Sequence, residues 1–353
     1  MWRRQLILWS IAVPIVIGIF IALLQSSSSS FSLNHHTTTT PFSSLLMKSL
    51  GTWSSNLSLF VSKTFSTKSP SMSSSTKRMP VYFFSHGGPD VQYNTAHPAY
   101  AVLQSIGREI TQRVRPKAVV VFSAHWQPET PSEIHINSAV TTPLVYDFYN
   151  FPPSYYKATF PSTGSPQLAS HIQSLLSSHS IPSRLVTRGL DHGVFSGFNV
   201  AFPPSSPTES LTVPLVQVSL FASEDPDAHY NLGRAVSSLR DEGVVIICTG
   251  MTVHNLRDFR ISRQKGGQPL PYVVSFDEAL KDAVEAAPDQ RQDRMREAAQ
   301  RPDARQAHPW MDHLMPLYIA AGAGGDDRGR RTWTMHEGSF AWGQYRFGDV
   351  PDS

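Results

Sequence analysis

The sequence predicts an α/β fold: a single domain with a central, largely buried sheet flanked by helices, preceded by an N-terminal hydrophobic helix and a disordered linker. Three observations carry this. Continuous apolar runs such as Ala118-Val119-Val120-Val121-Phe122 have the composition of strands covered on both faces. Segments with apolar residues at helical spacing alternate with those runs. Several strands also stop abruptly in short turns that carry a histidine, the first being Val81-Tyr82-Phe83-Phe84-Ser85-His86-Gly87-Gly88-Pro89. Open α/β sheets place their ligand sites at such carboxyl ends.

The chain divides into three parts: residues 1–24, 25–78 and 79–353. Arg3 and Arg4 precede Leu6 to Leu24, 19 residues without a charge, which is about the length of a membrane-spanning helix. The expectation is a single-pass signal anchor with the N-terminus cytoplasmic, because no Lys or Arg follows before Lys48. A start at Met79 would instead give a cytoplasmic product, and a Ser-rich leader without acids also fits a mitochondrial presequence. Residues 25–78 contain the runs Ser26–Ser30, Thr37–Thr40 and Ser71–Ser75, which bury too little apolar surface to offset ordering entropy.

From Met79 onward the elements alternate. After the first strand, His97 to Arg113 reads as a helix, with Pro98 suited to its first turn. Ala118 to Ser123 is the second strand and Ile134 to Ala139 a shorter one. Val145 to Tyr156 is an aromatic loop interrupted by Pro152-Pro153. Gln167 to Ser178 reads as helix, Leu185 to Asp191 as extended, Val213 to Phe221 as strand and Ala228 to Arg240 as helix. Gly243 to Thr249 is a buried strand. Helices follow at Ser275 to Ala287, Gln290 to Gln300 and near Trp310 to Ala321.

Composition narrows the function classes. The formal net charge of +3 is set by the first 78 residues, which hold seven Lys or Arg and no acid. The remainder is mildly acidic, with no basic stripe, which argues against nucleic-acid binding. Cys248 is the single cysteine, so neither an intrachain disulfide nor a cysteine-based metal cluster exists. Histidine is abundant, at 14 residues.

Position matters more than number. His86, His125 and His254 each lie just beyond an apolar strand, and neutral imidazole is the commonest protein ligand for first-row divalent metals. One such histidine alone reads best as a hydrogen-bonded loop residue; three at equivalent places read as a metal site. His192, in Asp191-His192-Gly193, is an acid/base candidate or a fourth ligand. His308 and His313 enter a helix at i and i+5, too poorly aligned to ligate together. Either one, or His97, would suit the pocket wall. His35, His36, His135, His171, His179, His229 and His336 read as structural or solvated.

Taken in order, Ser85-His86-Gly87, Ser123-Ala124-His125-Trp126, Asp191-His192-Gly193 and Gly250-Met251-Thr252-Val253-His254-Asn255-Leu256 resemble the motifs of class III extradiol ring-cleavage dioxygenases. The similarity is greatest to the DOPA-4,5-dioxygenase branch. Tyr146-Asp147-Phe148-Tyr149-Asn150-Phe151-Pro152, His308-Pro309, His313-Leu314 and Tyr345-Arg346-Phe347 extend it from Met79 to the C-terminus.

The resemblance implies metal ligation by His86 and His125 with His254 in the third place, where protocatechuate-type relatives carry a glutamate. It implies Fe(II) as the catalytic ion, while an all-nitrogen site also suits Zn(II). It makes His192 the acid/base residue, and His313, Tyr149 and Trp126 candidates for the substrate pocket. The implied reaction is cleavage of a catechol ring, DOPA-like or a related aromatic diol, with incorporation of O2. Two rival readings are a zinc hydrolase, in which the same histidines activate water, and a non-catalytic binding module on the same scaffold. Catechol-dependent O2 uptake separates the first reading from both rivals.

Overall fold

The computed structural model describes residues 78–264 and 266–351. Leu6 to Leu24 and the expected linker up to residue 77 lie outside them. The membrane assignment is corrected: among the described residues no helix is long and apolar enough to cross a membrane.

The fold opens with β1 (Val81–Ser85), every residue of which is buried. Helix α1 (Pro98–Arg108) starts at His97, whose side chain accepts a hydrogen bond from the Ala99 amide. It was expected to run to Arg113, but its last turn loosens into a π-helical stretch, Glu109–Val114. Then come β2 (Ala118–Ser123), β3 (Ile134–Asn137), β4 (Leu144–Val145) and α2 (Pro166–Ser178). The extended segment expected at Leu185 to Asp191 is two strands, β5 (Ser183–Val186) and β6 (Leu190–Asp191).

His192 does not end a strand; it begins α3 (His192–Ala201), a helix that sequence periodicity does not reveal. Nine of its ten residues are buried, so it has no polar face to mark a period. The chain continues through β7 (Leu215–Val218), α4 (Pro226–Val236), β8 (Val244–Gly250), β9 (Val253–His254) and α5 (Phe259–Gln264). Helices α6 (Pro271–Val284), α7 (Pro288–Ala299), α8 (Ala304–Ala307) and α9 (Met315–Gly324) follow. The last helix thus starts five residues later than Trp310. Four strands missing from the sequence expectation close the fold: β10 (Gly329–Trp333), β11 (His336–Glu337), β12 (Phe340–Ala341) and β13 (Gln344–Phe347).

Eight strands form the central sheet in the order β10-β13-β1-β8-β2-β7-β3-β5. Its middle, β1-β8-β2-β7, is parallel, while β13 and β10 are antiparallel additions at one edge. Alternate residues of the central strands feed opposite layers, as the two-residue period requires. Val81, Phe83, Val120, Phe122 and Ile246 pack with α4, α6 and α9 on one face. Tyr82, Phe84, Val119, Val121 and Ile247 pack with α1 and α3 on the other. This arrangement brings the carboxyl ends of β1, β8 and β2 side by side, with His86 directly after β1, His125 two residues past β2 and His254 four residues past β8, in β9.

One histidine reads differently in place. His229, expected on a solvated helix face, is fully buried on α4, with its Nδ1 2.7 Å from the Asp225 carbonyl oxygen.

Candidate active site

His86 follows β1 and is almost wholly buried. Its Nδ1 lies 2.6 Å from the Gly87 carbonyl oxygen. A carbonyl only accepts, so the proton sits on Nδ1 and the Nε2 lone pair is free. That Nε2 is buried with no hydrogen-bond partner. Gly87 allows the turn: its φ is +66°, and a Cβ there would meet the Trp342 ring at 2.2 Å.

His125 follows β2, its backbone amide anchored on Ser123 Oγ at 3.2 Å. Its Nδ1 lies 3.0 Å from Asp147 Oδ2, so its free lone pair is also on Nε2. Facing it at 3.1 Å is Nε2 of His313. The backbone of His313 is tied to the end of β8, where the Met251 amide donates to its carbonyl oxygen at 2.9 Å. Ligand nitrogens of His86, His125 and His313 lie within 4.8 Å of one another.

His254 reaches the same place by stacking. Its ring lies on His313 with centroids 3.7 Å apart and planes 12° from parallel. Sequence reading put His254 in the third ligand position and His313 on the pocket wall; the structure brings His313 to the nitrogen cluster with His254 packed flat against it.

His192 opens α3 with its ring centroid 4.0 Å from that of His125. Its Nδ1 is 2.8 Å from Asp147 Oδ1, and its backbone amide donates to the same oxygen at 3.0 Å. Gly193 leaves room for this approach: a Cβ there would sit 2.6 Å from Ser123 Oγ and 2.7 Å from His125 Cδ2. Asp191, the buried residue before His192, accepts from Ser123 Oγ, Arg188 and Gln217 at 2.6, 2.8 and 2.6 Å. It pins the start of α3 to β2 and β7.

The electrostatics favour neutral imidazoles at His86, His192, His254 and His313. Burial, followed by the neighbouring histidines, holds His86, His254 and His313 well below the usual histidine range. Burial also lowers His192, against the pull of Asp147. His125 is raised, because its hydrogen bond to Asp147 and the nearby carboxylates outweigh its burial. Burial alone would raise Asp147, but hydrogen bonds from His125 and His192 drive it far below the carboxylate range.

These residues fit a divalent ion. Nδ1 is engaged on both His86 and His125, which leaves Nε2 lone pairs aimed into one buried spot. Imidazole nitrogens bound at ~2.0–2.1 Å to one ion stand roughly 3 Å apart, which is the spacing between His125 and His313.

The other pocket candidates fare differently. Tyr149 is 81% exposed, beside Asn150 at φ +63°; the loop turns it outward and presents its neighbour instead. Phe148 is buried and packs on the His192 ring with centroids 5.5 Å apart. Trp126 is buried, with ring contacts to Arg188 and His135. His97 packs on Trp342 and pairs with Glu337 at 3.2 Å. His308 is buried with Nε2 2.9 Å from the Thr252 carbonyl oxygen. Asp147, which joins two of the histidines, lies in one of the motifs that carry the resemblance, but nothing in the sequence assigned it a role.

Comparison with known proteins shows the family. A family model described as the catalytic LigB subunit of aromatic ring-opening dioxygenase matches residues 79–348. A 4,5-DOPA dioxygenase extradiol of Beta vulgaris is 31% identical, with 75% of this chain and 95% of that protein covered. A 4,5-DOPA dioxygenase extradiol-like protein of Schizosaccharomyces pombe is 32% identical over 71% of this chain and 87% of its own length. The crystal structure of an uncharacterized Escherichia coli K12 protein superposes with a TM-score of 0.61 at 26% identity, covering 77% of this chain and all of that one.

Proposed function

The chain belongs to the family of catalytic LigB subunits of aromatic ring-opening dioxygenases, and from that premise we infer which residues do the work and on what substrate. Its activity is extradiol cleavage of an aromatic ring, an oxidoreductase reaction that consumes O2. The enzyme is metal-dependent, and the His/Asp cluster is where an ion would be held.

In this reading the ion is Fe(II), held by His86 and His125, with the stacked pair His254 and His313 completing the site. Zn(II) would occupy the same nitrogens but is redox-inert. Bound Fe(II) supplies a chelation point for two vicinal oxygens and the electron density that O2 needs. The observation that carries the assignment is the buried Nε2 of His86, which has no hydrogen-bond partner, on a ring whose ligand nitrogen clusters within 4.8 Å of those of His125 and His313.

His192 handles protons. Its Nδ1–H is directed at Asp147, which leaves Nε2 as a base for a catechol hydroxyl and, once protonated, as an acid for the opened ring. Positioned acid/base help of this kind is worth about 10²–10⁴-fold. Phe148 covers the His192 ring from the aromatic loop and limits water access. The substrate is a small catechol of the DOPA type, the compound for which the related plant and fungal proteins are named.

The test is anaerobic loading of the protein with Fe(II), followed by oxygen uptake against a catechol panel that includes L-DOPA. Uptake with appearance of a yellow ring-opened product supports the reading. No uptake with any catechol would sink it.

A further inference from the structure

We propose that Asp147 is a positioning residue that sets the tautomers of two histidines at once, so that metal affinity and proton transfer depend on one carboxylate. The inference rests on the metal-site reading above and deepens it.

The geometry is asymmetric. Asp147 Oδ2 faces Nδ1 of His125 at 3.0 Å. Oδ1 faces both Nδ1 and the backbone amide of His192, at 2.8 and 3.0 Å. An ionised carboxylate only accepts hydrogen bonds. Both rings must therefore carry their proton on Nδ1 and offer Nε2 lone pairs to the centre. The parallel pairing of β4 with β6, Val145 opposite Asp191, delivers Asp147 and His192 to one end of that short ladder.

The backbone amide of His192 cannot change its role; it is always a donor. Oδ1 must stay an acceptor. In Asp147→Asn the amide oxygen therefore takes the Oδ1 place and the NH2 group faces His125 Nδ1. Two N–H groups then oppose each other, unless His125 moves its proton to Nε2. That move removes the lone pair His125 would give to a metal, while His192 keeps its tautomer. Asp147→Ala removes both acceptors but imposes no donor, and leaves His125 free to offer Nε2.

The ranking follows. The near-isosteric Asn variant binds metal more weakly than the truncated Ala variant. A carboxylate that only held the loop would give the reverse order, since Asn keeps more of its contacts.

The experiment is competitive Zn(II) titration of the metal-stripped full chain, wild type against both variants, with circular dichroism as the fold control. Partners of ligand histidines commonly contribute 10–100-fold in metal affinity, and the expected result is Asp147→Asn weaker than Asp147→Ala by about tenfold. Equal or tighter binding by Asp147→Asn overturns the proposal while leaving the metal site standing. A wild type that binds no Zn(II) overturns the metal-site reading and the proposal with it. If either variant fails to fold, histidine ¹⁵N spectra of the metal-free wild type decide. In the neutral rings, protons on Nδ1 of both His125 and His192 support the proposal, and a neutral ring protonated on Nε2 alone refutes it.

Discussion

Nε2 of His125 and Nε2 of His313 face each other at 3.1 Å, although the two residues are 188 positions apart in the chain. Two neutral imidazoles meeting this way share one proton or one cation. The hydrogen bonding of His125 to Asp147 takes its proton to the far side, so its Nε2 lone pair can accept a proton from His313 or bind a cation.

Removing a ligand and removing the proton handler should have different consequences. His125→Ala is expected to lose metal affinity by roughly 100-fold or more. His192→Ala should retain metal and lose turnover by about 10²–10⁴-fold. Metal content by mass spectrometry beside steady-state rates checks this, and full occupancy in both variants contradicts the assignment.

The stacked pair can be dissected in the same way. His254→Ala and His313→Ala should each weaken metal binding by about tenfold or more, because either substitution removes one imidazole and unseats the other. Unchanged affinity in His254→Ala would assign the third position to His313 alone.

Gly193→Ala tests the closeness of α3 to the site. The added methyl would press on Ser123 Oγ and His125 Cδ2, displacing a ligand rather than unfolding the domain. A displacement of about 1 Å costs on the order of 10²-fold in rate. Turnover should fall by that much with the thermal unfolding midpoint little changed; an active variant would show that the helix can retreat freely.

A pH effect on stability should come from His229, buried on α4. Burial lowers its pKa to about 4, partly offset by its hydrogen bond to the Asp225 carbonyl. The unfolded chain takes up the proton near pH 6.5, before the folded one does. Its contribution is therefore complete above ~6.5 and is lost as the pH falls toward 4, by roughly 3 kcal/mol at most. Denaturant unfolding across that range, wild type against His229→Leu, should show a flatter profile in the variant. Parallel profiles contradict the account.

Much of this was legible from sequence, for identifiable reasons. β1, β2 and β8 are apolar on both faces and short, so composition alone marks them, and His86, His125 and His254 follow within one to four residues of their ends. Helix α3 was not legible, because Gly193, Val194, Phe195 and Gly197 favour other conformations and only burial on all sides makes a helix of them. Asp147 was not, because its partners depend on the β4–β6 register. His313 was not placed with the nitrogen cluster, because the backbone bond from Met251 that positions it is a tertiary contact. Tyr149 and Phe148 were indistinguishable as text; the turn at Asn150 separates them.

The most direct measurement is ring cleavage under isotopically labelled O2 by the Fe(II)-loaded full chain, with L-DOPA as substrate and His192→Ala as control. Both labelled atoms are expected in a product opened beside the diol, formed by wild type and lost in the variant. Intact catechol with wild type, or cleavage that survives in the variant unchanged, would contradict that expectation.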